Sequence, residues 1–269
     1  MKAAPLRKLF IVVYVAAYRN HSNQTISVVI ALAPALRLLV RLEVNRMPYK
    51  KPDFIGVAYA SRLFREYDYQ SSYDAFVLNT RPQPDLTNPT HALELLTWLN
   101  KWGCRIEKKE KFQQLIPELG QWYTNQEPQL PTRNIDISEL DTNGLDTLES
   151  AFKAMRDCGF GSTSAAKALF AIRPKCAIPW DEPIREEFGF GDDGFSYRRM
   201  LDRSCQEAKM LIEDAKKYGV KGSVEICDNV GASGSSLAKL LDEYNWITIT
   251  ERHDIPSRGE LEKWISWCQ

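Results

Sequence analysis

Two short stretches of the sequence carry most of the information about its fold. Residues 158–165 read CGFGSTSA, and residues 178–185 read IPWDEPIR. Before the first stretch, apolar side chains recur at helical spacing at positions 145, 148, 152 and 155. After it, small residues at positions 164, 165, 166 and 168 favour close packing of a second helix. The pattern predicts two helices joined by a tight turn, which is a helix-hairpin-helix.

The two glycines of this turn have different predicted roles. Gly159 permits the positive φ angle that reverses the chain direction. Gly161 stands at the start of the second helix, where the missing side chain lets backbone N–H groups approach an anion. Phe160, between them, can fill the space between the two helices. The turn is therefore predicted to bind an anion as well as to join two helices.

The hairpin and the segment after it resemble the helix-hairpin-helix DNA glycosylase superfamily, which has the endonuclease III-like fold. In that family the hairpin reads approximately Leu-Pro-Gly-Val-Gly-x-Lys-Thr-Ala, and a Pro-x-Asp segment follows it. Here residues 159–165 match the hairpin, residues 178–185 match the Asp segment, and Gly161 and Asp181 are 20 residues apart, as the family requires. The specific resemblance spans residues 145–188 and implies an all-α fold of two helical lobes.

The resemblance implies that Asp181 is the catalytic residue of a DNA glycosylase. Cleavage of an N-glycosidic bond develops positive charge on the deoxyribose, and a carboxylate at the mouth of a base pocket stabilises that charge or orients the attacking water. The implied partner is double-stranded DNA with a damaged or modified base, and the implied product is an abasic site. The biological setting is DNA repair or, as a variant, antiviral defence against modified phage DNA.

The resemblance also implies two groups of binding residues. The hairpin would hold the DNA backbone, with the N–H groups of Gly159, Gly161 and Thr163 as phosphate donors, with or without a monovalent cation. The full backbone-binding group is Gly159, Gly161, Ser162, Thr163, Lys167 and Arg185. A base rotated out of the duplex needs a slot with aromatic or apolar walls. The candidates for those walls are Trp180, Trp98, Trp102, Trp122 and Tyr123.

Three departures from the family pattern refine this expectation. Thr163 occupies the position of the lysine that attacks the sugar in bifunctional members, so the resemblance implies a monofunctional enzyme without a lyase step. Lys167 lies one turn further along the same helical face and is expected to be too deep to replace that lysine. Asp157 places a negative charge where DNA should approach. No four-cysteine loop follows the domain, so no iron–sulfur cluster is expected.

Each chosen residue also has an ordinary structural explanation, and these alternatives stay open at this point. Asp181, followed by Glu182 and Pro183, is a very good N-cap for a helix. The glycine turn can simply join two helices, and Trp98 and Trp102 have the spacing of core residues. The main alternative function is therefore a non-catalytic helix-hairpin-helix module that binds DNA or a protein. A helical scaffold without such a site comes third.

The composition is that of a water-soluble globular protein. The 269 residues contain 44% hydrophobic and 26% charged residues, with 35 basic and 35 acidic side chains. These values exclude a disordered chain, a collagen and a polytopic membrane protein. The six cysteines never form a C-x-x-C pair, and no histidine lies near one, so we expect reduced thiols in a cytoplasmic protein and no metal site.

The charge divides the chain into two predicted parts. Residues 1–46 hold seven basic side chains and one acidic side chain. They include apolar stretches that are too short or too interrupted to span a membrane, so we expect an appendage of uncertain role and no membrane partner. Residues 47–269 form the glycosylase-like domain, which we expect to be a monomer.

Helices are predicted through the rest of the second part, and two basic clusters accompany them. The predicted helices cover residues 53–66, 88–102, 108–123, 145–158, 164–172, 197–218, 235–244 and 257–267, with residues 246–250 as the only candidate strand. One basic cluster is Lys101, Arg105, Lys108, Lys109 and Lys111. The other is Arg198, Arg199, Arg203, Lys209, Lys216, Lys217 and Lys221. Such runs are usually solvated helix faces, but if the hairpin binds DNA, the second cluster is close enough to Asp181 in sequence to flank the same groove.

Overall fold

The computed structural model of the chain describes residues 15–17, 28–30, 49–67, 69–107 and 110–267. Its contacts divide the chain into two units, Met1–Pro48 and Tyr49–Gln269. In the first unit, strand β1 (Val15–Ala17) pairs antiparallel with strand β2 (Val28–Ile30). The sequence pattern did not predict this pair, and most of the predicted apolar stretches of residues 1–46 lie outside the described residues.

The described part of the second unit is helical, which confirms the all-α prediction for this unit. The helices are α1 (Phe54–Phe64), α2 (Tyr69–Asn79), α3 (Pro89–Lys101), α4 (Glu110–Gln126), α5 (Thr142–Asp157), α6 (Ser162–Ile172), α7 (Glu182–Glu187), α8 (Gly194–Ala215), α9 (Gly222–Asn229), α10 (Leu237–Asn245) and α11 (Arg258–Trp267). Short 3-10 turns extend or connect several of them. Within the described residues, none of the helices has the length and apolarity that a membrane crossing needs.

Side-chain caps explain where many of these helices begin. Asn88 accepts a hydrogen bond from the N–H of Thr90, with Pro89 at the first helical position, as the sequence predicts. Asp141 caps α5 through the N–H of Gly144 in the same way. The side chains of Asp53, Asp193 and Ser236 cap α1, α8 and α10. The starts of five helices are thus encoded locally.

Three helices and one short segment differ from the sequence prediction. The pattern does not identify α2, α7 and α9, since Phe76 is the only buried residue of α2 and the other two span fewer than nine residues. The candidate strand is a turn of π-helix, Trp246–Thr250, that continues α10. Its alternating Ile and Thr residues resemble a strand. However, the Thr248 hydroxyl donates to the carbonyl of Tyr244, and Ile247 packs into the core.

A buried aromatic cluster fixes the Asp segment against the hairpin. The rings of Phe152 in α5 and Tyr197 in α8 stack with centroids 4.5 Å apart, and Trp180 lies 5.2 Å from Tyr197. All three residues have 0% exposure. The indole N–H of Trp180 donates to the carbonyl of Ser162 over 3.3 Å. The backbone before α7 is therefore held against the first turn of α6.

A second aromatic cluster joins α2, α3 and α6 on the other side of the hairpin helix. Trp98 lies in α3 and Trp102 is its C-cap residue, and their ring centroids are 4.6 Å apart. Trp98 also stacks on Phe76 of α2, with centroids 5.5 Å apart. Phe170 of α6 stacks on Trp102 at 6.3 Å. The α6 helix is thus packed between two aromatic clusters, which gives the hairpin a rigid support.

The first aromatic cluster predicts that two phenylalanines differ strongly in their contribution to the free energy of unfolding. Phe152→Ala should lower the free energy of unfolding by about 3–5 kcal/mol, because it leaves a cavity between Trp180 and Tyr197. Phe195, which is 59% exposed, is the matched control, and Phe195→Ala should change stability by less than about 0.5 kcal/mol. Urea unfolding followed by circular dichroism measures both. Equal losses for the two variants would show that the cluster does not support the hairpin.

Candidate active site

The turn between α5 and α6 depends on the positive φ angle of Gly159. Its φ is +91°, as the sequence predicts. Its N–H, however, donates to the carbonyl of Arg156 over 2.8 Å. The prediction that this N–H binds phosphate is therefore wrong, because the turn itself already uses the donor.

At Gly161, unlike at Gly159, the backbone conformation does not require a glycine. Its φ of −70° and ψ of 163° are open to any residue, and an added Cβ would have only the Ser164 hydroxyl nearby, at 3.7 Å. Gly161 is the N-cap residue of α6 and supplies no capping side chain. The N–H groups of the first turn of α6, in residues 162–164, therefore have no capping side chain and no carbonyl of the same helix to bind.

Two cations lie beside the hairpin, one at the first turn of α6 and one at Gly159. The guanidinium of Arg185 donates to the Thr163 hydroxyl over 3.1 Å and lies 5.4 Å from the Trp180 ring. The Lys111 ammonium is 3.4 Å from the point that a Cβ on Gly159 would occupy. Asp157, the last residue of α5, is exposed and carries the opposite charge. The hairpin thus combines N–H groups that have no capping side chain, two cations and one acid.

Asp181 occupies the N-cap position of α7 without using its carboxylate as a cap. Its backbone is extended, and its side chain accepts no capping hydrogen bond from α7. Its Oδ1 lies instead 3.0 Å from the Nζ of Lys167, with the Asp181 side chain 22% exposed. The simple structural explanation of this aspartate, a capping role, therefore does not account for the placement of the carboxylate.

Lys167 is buried, not placed at the surface where DNA backbone would lie. Its residue exposure is 7%, and its Nζ also donates to the carbonyl of Trp102 over 2.9 Å. The expected role in backbone binding is thus wrong, because the ammonium is directed inward. The prediction that it shares a helical face with Thr163, one turn deeper, is confirmed, since both residues line one pocket.

That pocket has a volume of about 320 Å³ and contains the carboxylate of Asp181 in its wall. Its lining combines residues from α1, α2, α3, α6, the start of α7, α10 and the π-helical turn. The lining residues are Phe64, Tyr69, Lys101, Trp102, Gly103, Thr163, Lys167, Asp181, Pro183, Asp242, Trp246 and Thr250. The pocket therefore connects the first turn of the hairpin helix with an aromatic wall.

Only Trp102 of the five predicted pocket aromatics lines this pocket. The other four have core roles: Trp98 and Trp180 are 2% and 0% exposed, Trp122 donates to the carbonyl of Ala151, and Tyr123 donates to that of Pro84. The aromatics that the sequence prediction missed are Phe64, Tyr69 and Trp246. Phe64 and Tyr69 lie far from the hairpin in sequence, and Trp246 begins the segment taken for a strand.

The missed aromatics form one continuous wall that covers a buried cation. Trp246 contacts Phe64 at 5.4 Å and Tyr69 at 5.6 Å between ring centroids. The Lys239 ammonium lies 4.0 Å from the Phe64 ring centre and 4.8 Å from that of Trp102. The rings meet edge to face, with interplanar angles of 87° and 77°, so the wall offers single ring faces on which a planar ligand can stack.

Burial raises the pKa of two titratable groups in this region, Asp242 and Cys104. Burial raises the pKa of Asp242 above the ordinary aspartate value, although the nearby Lys239 and Lys167 act in the opposite direction. Burial likewise raises the pKa of the Cys104 thiol to about 11, although Lys167 acts to lower it. This cysteine is therefore a neutral thiol near pH 7 and a poor nucleophile. Five cysteines in the described part of the chain are free thiols.

Four of the seven members of the second basic cluster are paired with acidic side chains. Arg198 binds Asp146 over 2.6 Å, and Arg203 binds Glu207 over 2.9 Å while it covers the Phe188 ring. Lys216 and Lys217 pair with Glu213 and Asp214 one turn before them. From the first cluster, Lys101 lines the pocket and Lys111 approaches the hairpin, while Lys108 and Lys109 lie outside the described residues.

The contrast between the two glycines yields a matched pair of serine variants. Gly161→Ser should leave the free energy of unfolding unchanged or raise it by a few tenths of a kcal/mol, because serine is a good N-cap in this conformation. Gly159→Ser should lower it by about 1–2 kcal/mol, because the positive φ disfavours a side chain. Thermal and urea unfolding test this pair. Destabilisation by the Gly161 variant would show that the fold needs that glycine.

Comparison of the chain with protein-family models, with curated protein sequences and with solved structures gives no match. The geometry of the hairpin and the pocket is accordingly the basis for the functional proposal.

Proposed function

We propose that the protein is a monofunctional DNA glycosylase that hydrolyses the N-glycosidic bond of a damaged or modified base in duplex DNA. The observation that carries the proposal is the placement of Asp181. Its carboxylate is not used to cap α7 and lies in the wall of an aromatic pocket. The same pocket is lined by Thr163 from the first turn of the hairpin helix. A carboxylate, a pocket of about 320 Å³ and the N-terminus of the hairpin helix are thus adjacent, and this arrangement supports the proposal.

Asp181 would act on the sugar. Departure of the base leaves positive charge on the C1′–O4′ unit, and a carboxylate next to it lowers the energy of that state. The Lys167 ammonium, 3.0 Å from Oδ1, fixes the direction of the carboxylate before DNA arrives. A water that enters on the same side then adds to C1′ and leaves an abasic site.

The aromatic wall would receive the base after it rotates out of the duplex. Stacking on an aromatic side chain compensates for the lost stacking inside the DNA. Trp102 and Trp246 both line the pocket and belong to connected aromatic clusters, so the wall is already formed without ligand. A preformed wall reduces the ordering cost of binding.

The first turn of α6 would hold the phosphate next to the flipped nucleotide. Its N–H groups have no capping side chain, and the positive end of the helix dipole favours an anion there. Arg185 and Lys111 add charge at this position, whereas the exposed Asp157 reduces it. The arrangement supports moderate, salt-sensitive affinity for DNA without base-specific contacts from the hairpin.

Two variants test the assignment of Asp181. Asp181→Asn should lower the rate of base excision by at least about 100-fold, because the amide cannot stabilise the developing positive charge. The amide oxygen can still accept from Lys167, so folding and DNA affinity should change little. Glu182→Gln is the matched control, since Glu182 is an exposed neighbouring acid. Abasic-site formation is measured on duplexes that carry a panel of modified bases.

The rates decide between the glycosylase and a binding module. Excision by the wild type and the Glu182 variant but not by the Asp181 variant supports the proposal. Equal excision by all three would remove Asp181 from the reaction. DNA binding that depends on Gly161, with no base release from any duplex, would instead identify a non-catalytic helix-hairpin-helix module.

The reaction should be hydrolysis without a covalent intermediate. Thr163 has no amine, and the Lys167 amine is held by the carbonyl of Trp102 and the carboxylate of Asp181. Borohydride reduction during turnover should therefore trap no protein–DNA adduct, and the abasic strand should stay uncut until alkali is added. An adduct that disappears in Lys167→Met would contradict this and assign a lyase step to Lys167.

A further inference from the structure

A second carboxyl group lies in the wall of the same pocket. Asp242 of α10 is 6% exposed and lines the pocket together with Asp181. The two side chains have different surroundings, since the Asp181 side chain is 22% exposed and the Asp242 side chain is 8% exposed. Two carboxyl groups in different environments are the arrangement in which one acts as an acid and the other as an anion.

The contact between Asp242 and Lys239 uses one of the two carboxyl oxygens, Oδ2. The Lys239 ammonium donates to Oδ2 over 2.8 Å and lies 3.7 Å from Glu243. Oδ1 can therefore carry a proton without loss of this contact. Lys239 is itself 3% exposed and lies against two rings of the aromatic wall, so it holds Asp242 at a fixed position in the pocket.

Charged groups of both signs surround Asp242, and burial has the largest effect on its pKa. Lys239 on its own helix and Lys167 on α6 lower its pKa, while Asp181 raises it. Glu243 on the same helix and Lys101 from α3 complete the charged groups of this region. Because desolvation is the largest effect and raises the pKa, the protonated form persists to higher pH than in an ordinary aspartate.

We propose that Asp242 is the general acid that protonates the departing base, an inference that rests on the proposed glycosylase function. The proton of Asp242 moves to a ring nitrogen or carbonyl oxygen of the base as the C1′–N bond breaks, and the bonding electron pair stays with the base. Water then adds its oxygen to C1′ and gives its proton to Asp181. The two carboxyl groups return to their initial protonation states by exchange with solvent.

A base that needs no proton in order to leave distinguishes a general-acid role of Asp242 from a purely structural role in the pocket wall. Hypoxanthine, uracil and 8-oxoguanine leave as neutral bases only after they gain a proton, whereas 7-methylguanine already carries a positive charge. Asp242→Asn should lower excision of the first group by about 10²–10⁴-fold, the usual contribution of a general acid. Its excision of 7-methylguanine should stay within a few fold of the wild-type rate. Single-turnover rates on duplexes with each base measure the difference.

Glu243→Gln is the matched control, because Glu243 is the next residue on α10, is equally buried and does not line the pocket. It should not discriminate between the two substrate groups. The pH profile provides a second measurement. Wild-type excision of the neutral bases should fall as the pH rises through the pKa of Asp242, and this fall should disappear in Asp242→Asn.

The outcomes distinguish this inference from the glycosylase proposal itself. Equal slowing of both substrate groups by Asp242→Asn, or no slowing of either, would remove the acid role while the glycosylase assignment stands. Absence of excision of every base by the wild type would overturn the glycosylase assignment, and the acid role with it. A loss confined to the neutral bases supports both.

Discussion

The ion pair between Lys167 and Asp181 connects the parts of this molecule that matter for its proposed function. It joins the hairpin helix to the segment before α7, and the same ammonium binds the carbonyl of Trp102 at the end of α3. A partly buried ion pair is an expensive way to join helices, since an apolar contact of similar size serves stability as well or better. Its presence in a pocket wall is the observation on which the proposed function rests.

The surrounding structure gives this ion pair a rigid setting. Trp180, next to Asp181, is locked between Phe152 and Tyr197 and donates to the first turn of α6. On the opposite side, Trp102 belongs to the aromatic cluster of α2 and α3. The carboxylate is thus held by side chains that do not react, which is how preorganised sites avoid reorganisation during a reaction.

The local parts of this site could be predicted from the sequence, and the distant parts could not. The positive φ of Gly159 and the shared face of Thr163 and Lys167 follow from neighbouring residues. Trp98 and Trp102 are four residues apart, so sequence spacing places them on one face of α3 and cannot show that only Trp102 reaches the pocket. Phe64, Tyr69, Asp242 and Trp246 come from opposite ends of the second unit. Only tertiary packing brings them to the hairpin.

The most direct measurement of the central claim compares two abasic-site analogues, which removes the need to know the target base. A duplex with a pyrrolidine ring in place of the sugar carries positive charge where the reaction would develop it, whereas a tetrahydrofuran duplex is neutral. If Asp181 stabilises that charge, the wild type should bind the pyrrolidine duplex at least about 100-fold more tightly, as expected for a transition-state analogue. Asp181→Asn should lose most of this preference. Equal affinity of the wild-type protein for the two duplexes would contradict the account.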